Sequence, residues 1–241
     1  MRNIWIITKR ELRSFFDSLI AYIMLALFLG LSGFFTWIYG SDVFIVGQVS
    51  LRSFFGIAYW TLFFFIPALT MRLLAEERKT GTIELLLTKA VTDRQVVLGK
   101  FFSTLLLICV AFACTLPYVI TLANIGNLDN GATICGYLSL LLMSASYISI
   151  GLFTSSMTSN QIVAFLSALC IGLFFHIIFG VLASQFTGNL GIFFDTLNLQ
   201  MHFESISRGV IDTKDIIYFF SIILLGLLFS EYSLSKRYTK G

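Results

Sequence analysis

Six stretches of about twenty residues, with no Asp, Glu, Lys or Arg in their apolar cores, constrain this chain more than anything else in it. They lie at about 19–39, 54–72, 101–123, 132–156, 161–184 and 216–234. A run of that length, wound as a helix, matches the thickness of a bilayer's hydrocarbon core. A helix also satisfies its own backbone hydrogen bonds where no water can. Composition agrees, since 57% of the 241 residues are hydrophobic and 12% charged, about half the charge of an ordinary soluble domain. The pattern predicts an all-α integral membrane protein, with one transmembrane domain over residues 1–241.

The placement of Lys and Arg predicts the orientation. With both termini on one side of the membrane, that side collects thirteen of the sixteen basic residues and the other side three. The positive-inside rule then puts both termini and residues 72–100 in the cytoplasm. The net charge of +3 says little about nucleic acid, because the basic residues flank spans. Cys109, Cys114, Cys135 and Cys170 fall in or beside spans without CxxC spacing, and read as small core residues. The first apolar run is long and ends in Trp37 and Tyr39, so it reads as a retained span and not a cleaved leader.

Residues 2–17 precede span one. At 100° per residue, Ile4, Trp5, Thr8, Leu12, Phe15 and Phe16 share an arc of roughly 120°, while Arg2, Lys9, Arg10 and Arg13 lie off it. An aromatic face opposite a basic one suits a helix lying in the headgroup plane; a plain charged flank is the alternative. Pro67 in span two and Pro117 in span three each remove a backbone donor, giving either a hinge or a static bend. Ser159 or Asn160 can cap span five, along which Ala164, Ala168, Gly172, His176 and Gly180 recur every four residues. That small-residue stripe permits close helix contact, in the chain's own core or with another subunit. Between spans five and six, IFFDTLNL is too short to cross a bilayer and predicts a re-entrant or interfacial helix on the outer face. Asp212 or Thr213 then caps span six.

One long charged stretch interrupts this hydrocarbon-compatible chain, Arg72 to Lys100. Span two is expected to continue through RLLAEERK to a C-cap at Gly81. Ile83, Leu86, Leu87 and Ala90 then form the apolar stripe of a short surface helix that leaves Glu84, Leu85 and Lys89 available to a partner. Thr92-Asp-Arg-Gln95 matches a capping box that starts the helix into span three. The alternative for the whole segment is a solvated, membrane-flanking charge run.

Several chemistries lack their residues. No G-x-x-x-x-G-K-[ST] occurs, because Gly99-Lys100 is followed by Phe-Phe, so the chain has no phosphate cradle of its own. Span cores without ionisable carboxylates or bases disfavour self-sufficient ion-coupled transport. An intramembrane hydrolase would need His176 paired with a serine, yet Ser32 in GLSG does not match G-x-S-x-G. His202 with Glu204 alone is weak ground for a metal site, and none is expected.

The residues Glu76-Glu77-Arg78, then Gly81-Thr82-Ile83-Glu84-Leu85-Leu86, then Gly99-Lys100 resemble the signature of ABC-2 type permeases, the membrane halves of one group of ATP-binding-cassette transporters. His202-Phe203-Glu204-Ser205-Ile206-Ser207-Arg208-Gly209-Val210-Ile211-Asp212 looks like the gliding-motility-associated branch and its relatives. Lys89-Ala90 departs from the family, where Pro often stands. The resemblance implies a coupling segment at 75–98, with Glu76, Glu77, Arg78, Gly81, Thr82, Glu84, Leu85 and Leu86 docking a separate cytoplasmic ATPase. It implies a second permease, either a copy of this chain or a paralogous subunit with a large outer domain. No cofactor is expected in this chain, ATP and Mg being held by the ATPase. A non-transporting scaffold within such a complex and a membrane hydrolase are the competing readings.

Overall fold

The computed structural model describes residues 2–39, 50–82 and 91–236, and among these every regular element is helical. α1 (Arg2–Asp17) leads into α2 (Leu19–Trp37), the first span. Span two is α3 (Arg52–Thr70), followed after a break by α4 (Ala75–Thr80). Spans three and four are the long helices α5 (Asp93–Ile125) and α6 (Asn130–Met157). Span five is α7 (Gln161–Leu173), a π-helical turn at Phe174–Ile178, and α8 (Phe179–Gln185). Two short helices follow, α9 (Asn189–Leu197) and α10 (Leu199–Ser207), before span six, α11 (Thr213–Ser235). Among the described residues six helices are long and apolar enough to cross a membrane; the third begins at Asp93, eight residues before its expected start at 101, and the second is broken after Thr70. The chain is a multi-pass membrane protein.

Local chemistry explains the boundaries. Thr92 accepts the Gln95 amide and Gln95 reaches back to Thr92, so the predicted capping box starts α5. Of the alternatives left open by sequence, Asn160 caps α7 and Asp212 caps α11, each through a side-chain oxygen on the backbone two residues ahead. Gly81 ends α4 at φ +71°, the left-handed cap that glycine adopts at little cost. Pro67 and Pro117 both stand inside helices. The interruption of span two comes just after Pro67, over Met71–Leu74.

α6 is the central element. Its apolar window is 72% buried, against 22% for spans five and six, so neighbours surround it while the others keep a lipid-compatible flank. Small side chains make this possible. Ser139, Ser146 and Ser156 turn their hydroxyls back onto their own helix, at Gly136, Leu142 and Phe153, which leaves a thin, satisfied surface. α11 lies against that surface, with Ser149 Oγ reaching the Ile222 carbonyl and Ser233 reaching the Ser156 carbonyl.

Candidate functional site

At the end of the bundle where α2 begins and α3 ends, α1, α4 and the first turns of α5 converge on one buried cation. The Lys100 side chain is 1% exposed, and its Nζ lies 2.8 Å from Glu77 Oε1 and 3.4 Å from Glu11 Oε2. Arg10, half exposed, contacts Glu11 and stands 3.6 Å from Glu77. Two cations and two carboxylates therefore close a neutral cluster that ties the N-terminal helix to the end of span two and the start of span three. Burial pushes the Glu11 carboxyl up, but Lys100 and Arg10 beside it outweigh burial and hold it below the ordinary glutamate range. Glu77 Oε2 has no hydrogen-bond partner among the described residues. A cleft of about 640 Å³ opens beside the cluster, reached by Arg72, Glu76, Thr80 and Thr82. The Arg72 guanidinium covers the Phe15 ring at 5.3 Å.

The seating of α1 differs from the arc expected for it. The buried positions are Ile7, Thr8 and Phe15, with Glu11 facing inward among them, whereas Trp5 is 62% exposed. The inner face is thus rotated by roughly 70° from the aromatic arc. The cause is the ion pair, because a carboxylate that meets Lys100 can take a core-facing position that a lone charge avoids. Gly99 allows the approach. A Cβ there would sit 2.6 Å from Ile7 Cγ2, and Thr8 Oγ1 bonds the Gly99 carbonyl at 3.1 Å. The Gly99-Lys100 pair is a docking seat for α1.

The other singled-out residues fall in three places. Around α4, Glu76 is exposed, Glu77 is turned inward, Arg78 is half-buried, and Thr82 meets the Thr80 hydroxyl at 2.9 Å. Glu84, Leu85 and Leu86, with the rest of the expected surface helix, lie outside the described residues. In span five, Ala164, Ala168, Gly172 and His176 are buried against α3 and α6, so their stripe packs inside this chain, while Gly180 faces Asn198. His176 Nδ1 pairs with the Tyr147 hydroxyl at 2.8 Å, and its ring stacks on Tyr59 and Phe63. Its partner is a tyrosine and not a serine.

At the opposite side of the membrane the His202–Asp212 motif organises the turn into span six. His202 Nδ1 lies 2.7 Å from Asp215 Oδ1 and Nε2 lies 3.1 Å from the Thr196 carbonyl, with the ring stacked on Tyr218. Phe203 packs on Tyr59, Arg208 Nε donates to the Glu204 carbonyl, and Gly209 at φ +95° ends α10. Glu204 accepts from Gln200 and is not His202's partner. No group of three metal-ligating side chains occurs among the described residues.

The whole helical array, from α1 into the last span, matches one family model, described as ABC-2 family transporter protein, over residues 5–230. The chain belongs to that family. No curated protein matches it. In this ABC-2 permease, sequence reasoning missed the inward roles of Glu11 and Lys100. The available signal was a carboxylate between Thr8 and Phe15 on an otherwise apolar helical face.

Proposed function

We propose that this ABC-2 family protein is the permease subunit of an export complex in the bacterial inner membrane, with both termini cytoplasmic, energised by a separate ATPase that docks on residues 75–98. The observation that carries this reading is the division of labour within one turn of α4. Glu77 anchors inward on Lys100, while Glu76, on the rim of an open cleft, and Lys79 are exposed. An anchored helix whose exposed Glu76 and Lys79 have no ion partner among the described residues suits a docking platform for a soluble protein better than a loose flank would. A second permease, a copy or a paralogue, would complete the membrane unit of a gliding-motility-type or secretion-type complex, the gliding role resting on the His202–Asp212 resemblance. The test is co-purification of the tagged chain with its ATPase from native membranes. Glu84→Lys with Leu85→Asp is expected to abolish both co-purification and complex-dependent ATP hydrolysis. Wild-type levels of both in that variant would overturn the docking reading.

A further inference from the structure

The geometry points to Ser155 as the positioning residue that makes α4 and span four one rigid unit, so that displacement of the 75–98 segment is delivered to the centre of the bundle. This use rests on the docking reading; the rigidity itself does not.

In an unbroken helix the Ala75 amide would donate to the Met71 carbonyl. Here the Ser155 hydroxyl, from α6, is inserted between them. It donates to Met71 O at 3.0 Å and accepts from Ala75 N at 3.0 Å and Leu74 N at 3.1 Å. A hydroxyl has one proton and two lone pairs, so its full hydrogen-bonding capacity is spent on this break. Side-chain insertion of this kind is one of the few causes of a sharp break in a helical ladder. The same hydroxyl therefore ends α3, starts α4 and fixes both to span four. Leu74, at the start of α4, has no cap of its own, and Ser155 supplies that cap from another helix.

Two features make the joint a strut and not a pivot. Ser155 and Leu74 are both fully buried, so water cannot replace the lost bonds. One turn earlier on α6, Gly151 lies flat against span two, where an added Cβ would meet Thr70 Oγ1 at 2.0 Å. Ser139, Ser146 and Ser156 of the same helix bond only their own backbone. Ser155 is set apart by giving all three bonds to span two. Because α6 is the most enclosed span, a push on α4 enters the bundle at its core.

The experiment uses the full chain in lipid nanodiscs, with its four cysteines replaced and spin labels at Lys79 on α4 and Ile134 at the far end of α6. A narrow inter-label distance distribution is expected. Ser155→Ala should broaden it at least twofold and raise amide exchange at Leu74 and Ala75 more than tenfold, with the interiors of α3 and α6 unchanged. Ser155→Thr, which keeps the hydroxyl, should restore both. An unchanged distribution in Ser155→Ala overturns the proposal. Should Ser155→Ala fail to fold, the wild-type chain still decides: exchange at Leu74 and Ala75 as fast as at exposed Lys79 overturns it, and protection matching the span interiors supports it. No ATPase is present, so a failure of the docking reading shows separately, as lost co-purification.

Discussion

Replacing Lys100 by Met removes the ammonium at the centre of the charged cluster while keeping most of the buried aliphatic stem. Glu77 and Glu11 then lose the cation at 2.8 and 3.4 Å and retain only Arg10, which is half exposed. Removing one partner from a buried ion pair costs about 3–5 kcal/mol, chiefly through the charge left behind. The two carboxylates are 16% and 14% exposed, so some hydration remains available and the lower end applies. The expected loss is about 3 kcal/mol. Thermal unfolding in detergent micelles, followed by tryptophan fluorescence, reads this as a fall of about 6–12 °C for a chain of this length. Adding Glu77→Leu should return about 2 kcal/mol, because the stranded carboxylate goes with the stranded site. Acid probes the same cluster. Folding holds Glu11 in its deprotonated form, so its stabilisation is complete above the glutamate's unfolded value and is lost as pH falls through the lower, folded one. A Lys100→Met protein within 0.5 kcal/mol of wild type, the range of ordinary surface changes, would refute the buried-cluster reasoning. So would a double variant whose losses merely add.

Three further outcomes follow from particular contacts. Gly99→Ala places a methyl 2.6 Å from Ile7 Cγ2 and should cost about 1–3 kcal/mol in the same unfolding assay, partly relieved by Ile7→Ala. His202→Phe keeps the stack on Tyr218 but leaves Asp215 buried without its pair. The loss should be about 3–5 kcal/mol, most of it recovered when Asp215→Leu is added. His176→Phe orphans the Tyr147 hydroxyl at a cost of about 1–3 kcal/mol, whereas His176→Phe with Tyr147→Phe should unfold close to wild type.

What was legible in the sequence is what neighbours in sequence decide. The existence of six spans follows from the length of uncharged runs, and Thr92–Gln95, Asn160, Asp212 and Gly81 act within one helical turn of themselves. The pairing of Glu11 with Lys100 joins residues on different helices, and nothing local to Glu11 announces a cation. The expected arc was set by the aromatic residues and Leu12, which tilted the predicted inner face of α1 toward Trp5. The small-residue stripe of span five was visible as a stripe, but its neighbours were not, because Ala and Gly permit any close contact equally. Ser155 was hidden for a similar reason. It is one serine among many on α6, and only the break in span two distinguishes it.

The distribution of polarity bears on how such a bundle can be driven. Among the described residues the buried charged side chains are Lys100, in the first turns of span three, and Asp215, in the first turn of span six. Because successive spans alternate direction, these two stand at opposite membrane faces. Between them lie hydroxyls bonded to their own helices and the Tyr147–His176 pair. A charged Asp, Lys or Arg at the bilayer centre costs about 2.5–3.5 kcal/mol. This bundle keeps its buried charges at the two faces, and its middle is joined by neutral bonds between helices, Ser149 to Ile222 and Tyr147 to His176. The face at Lys100 carries a hydroxyl strut, Ser155, from the break before α4 to the central span.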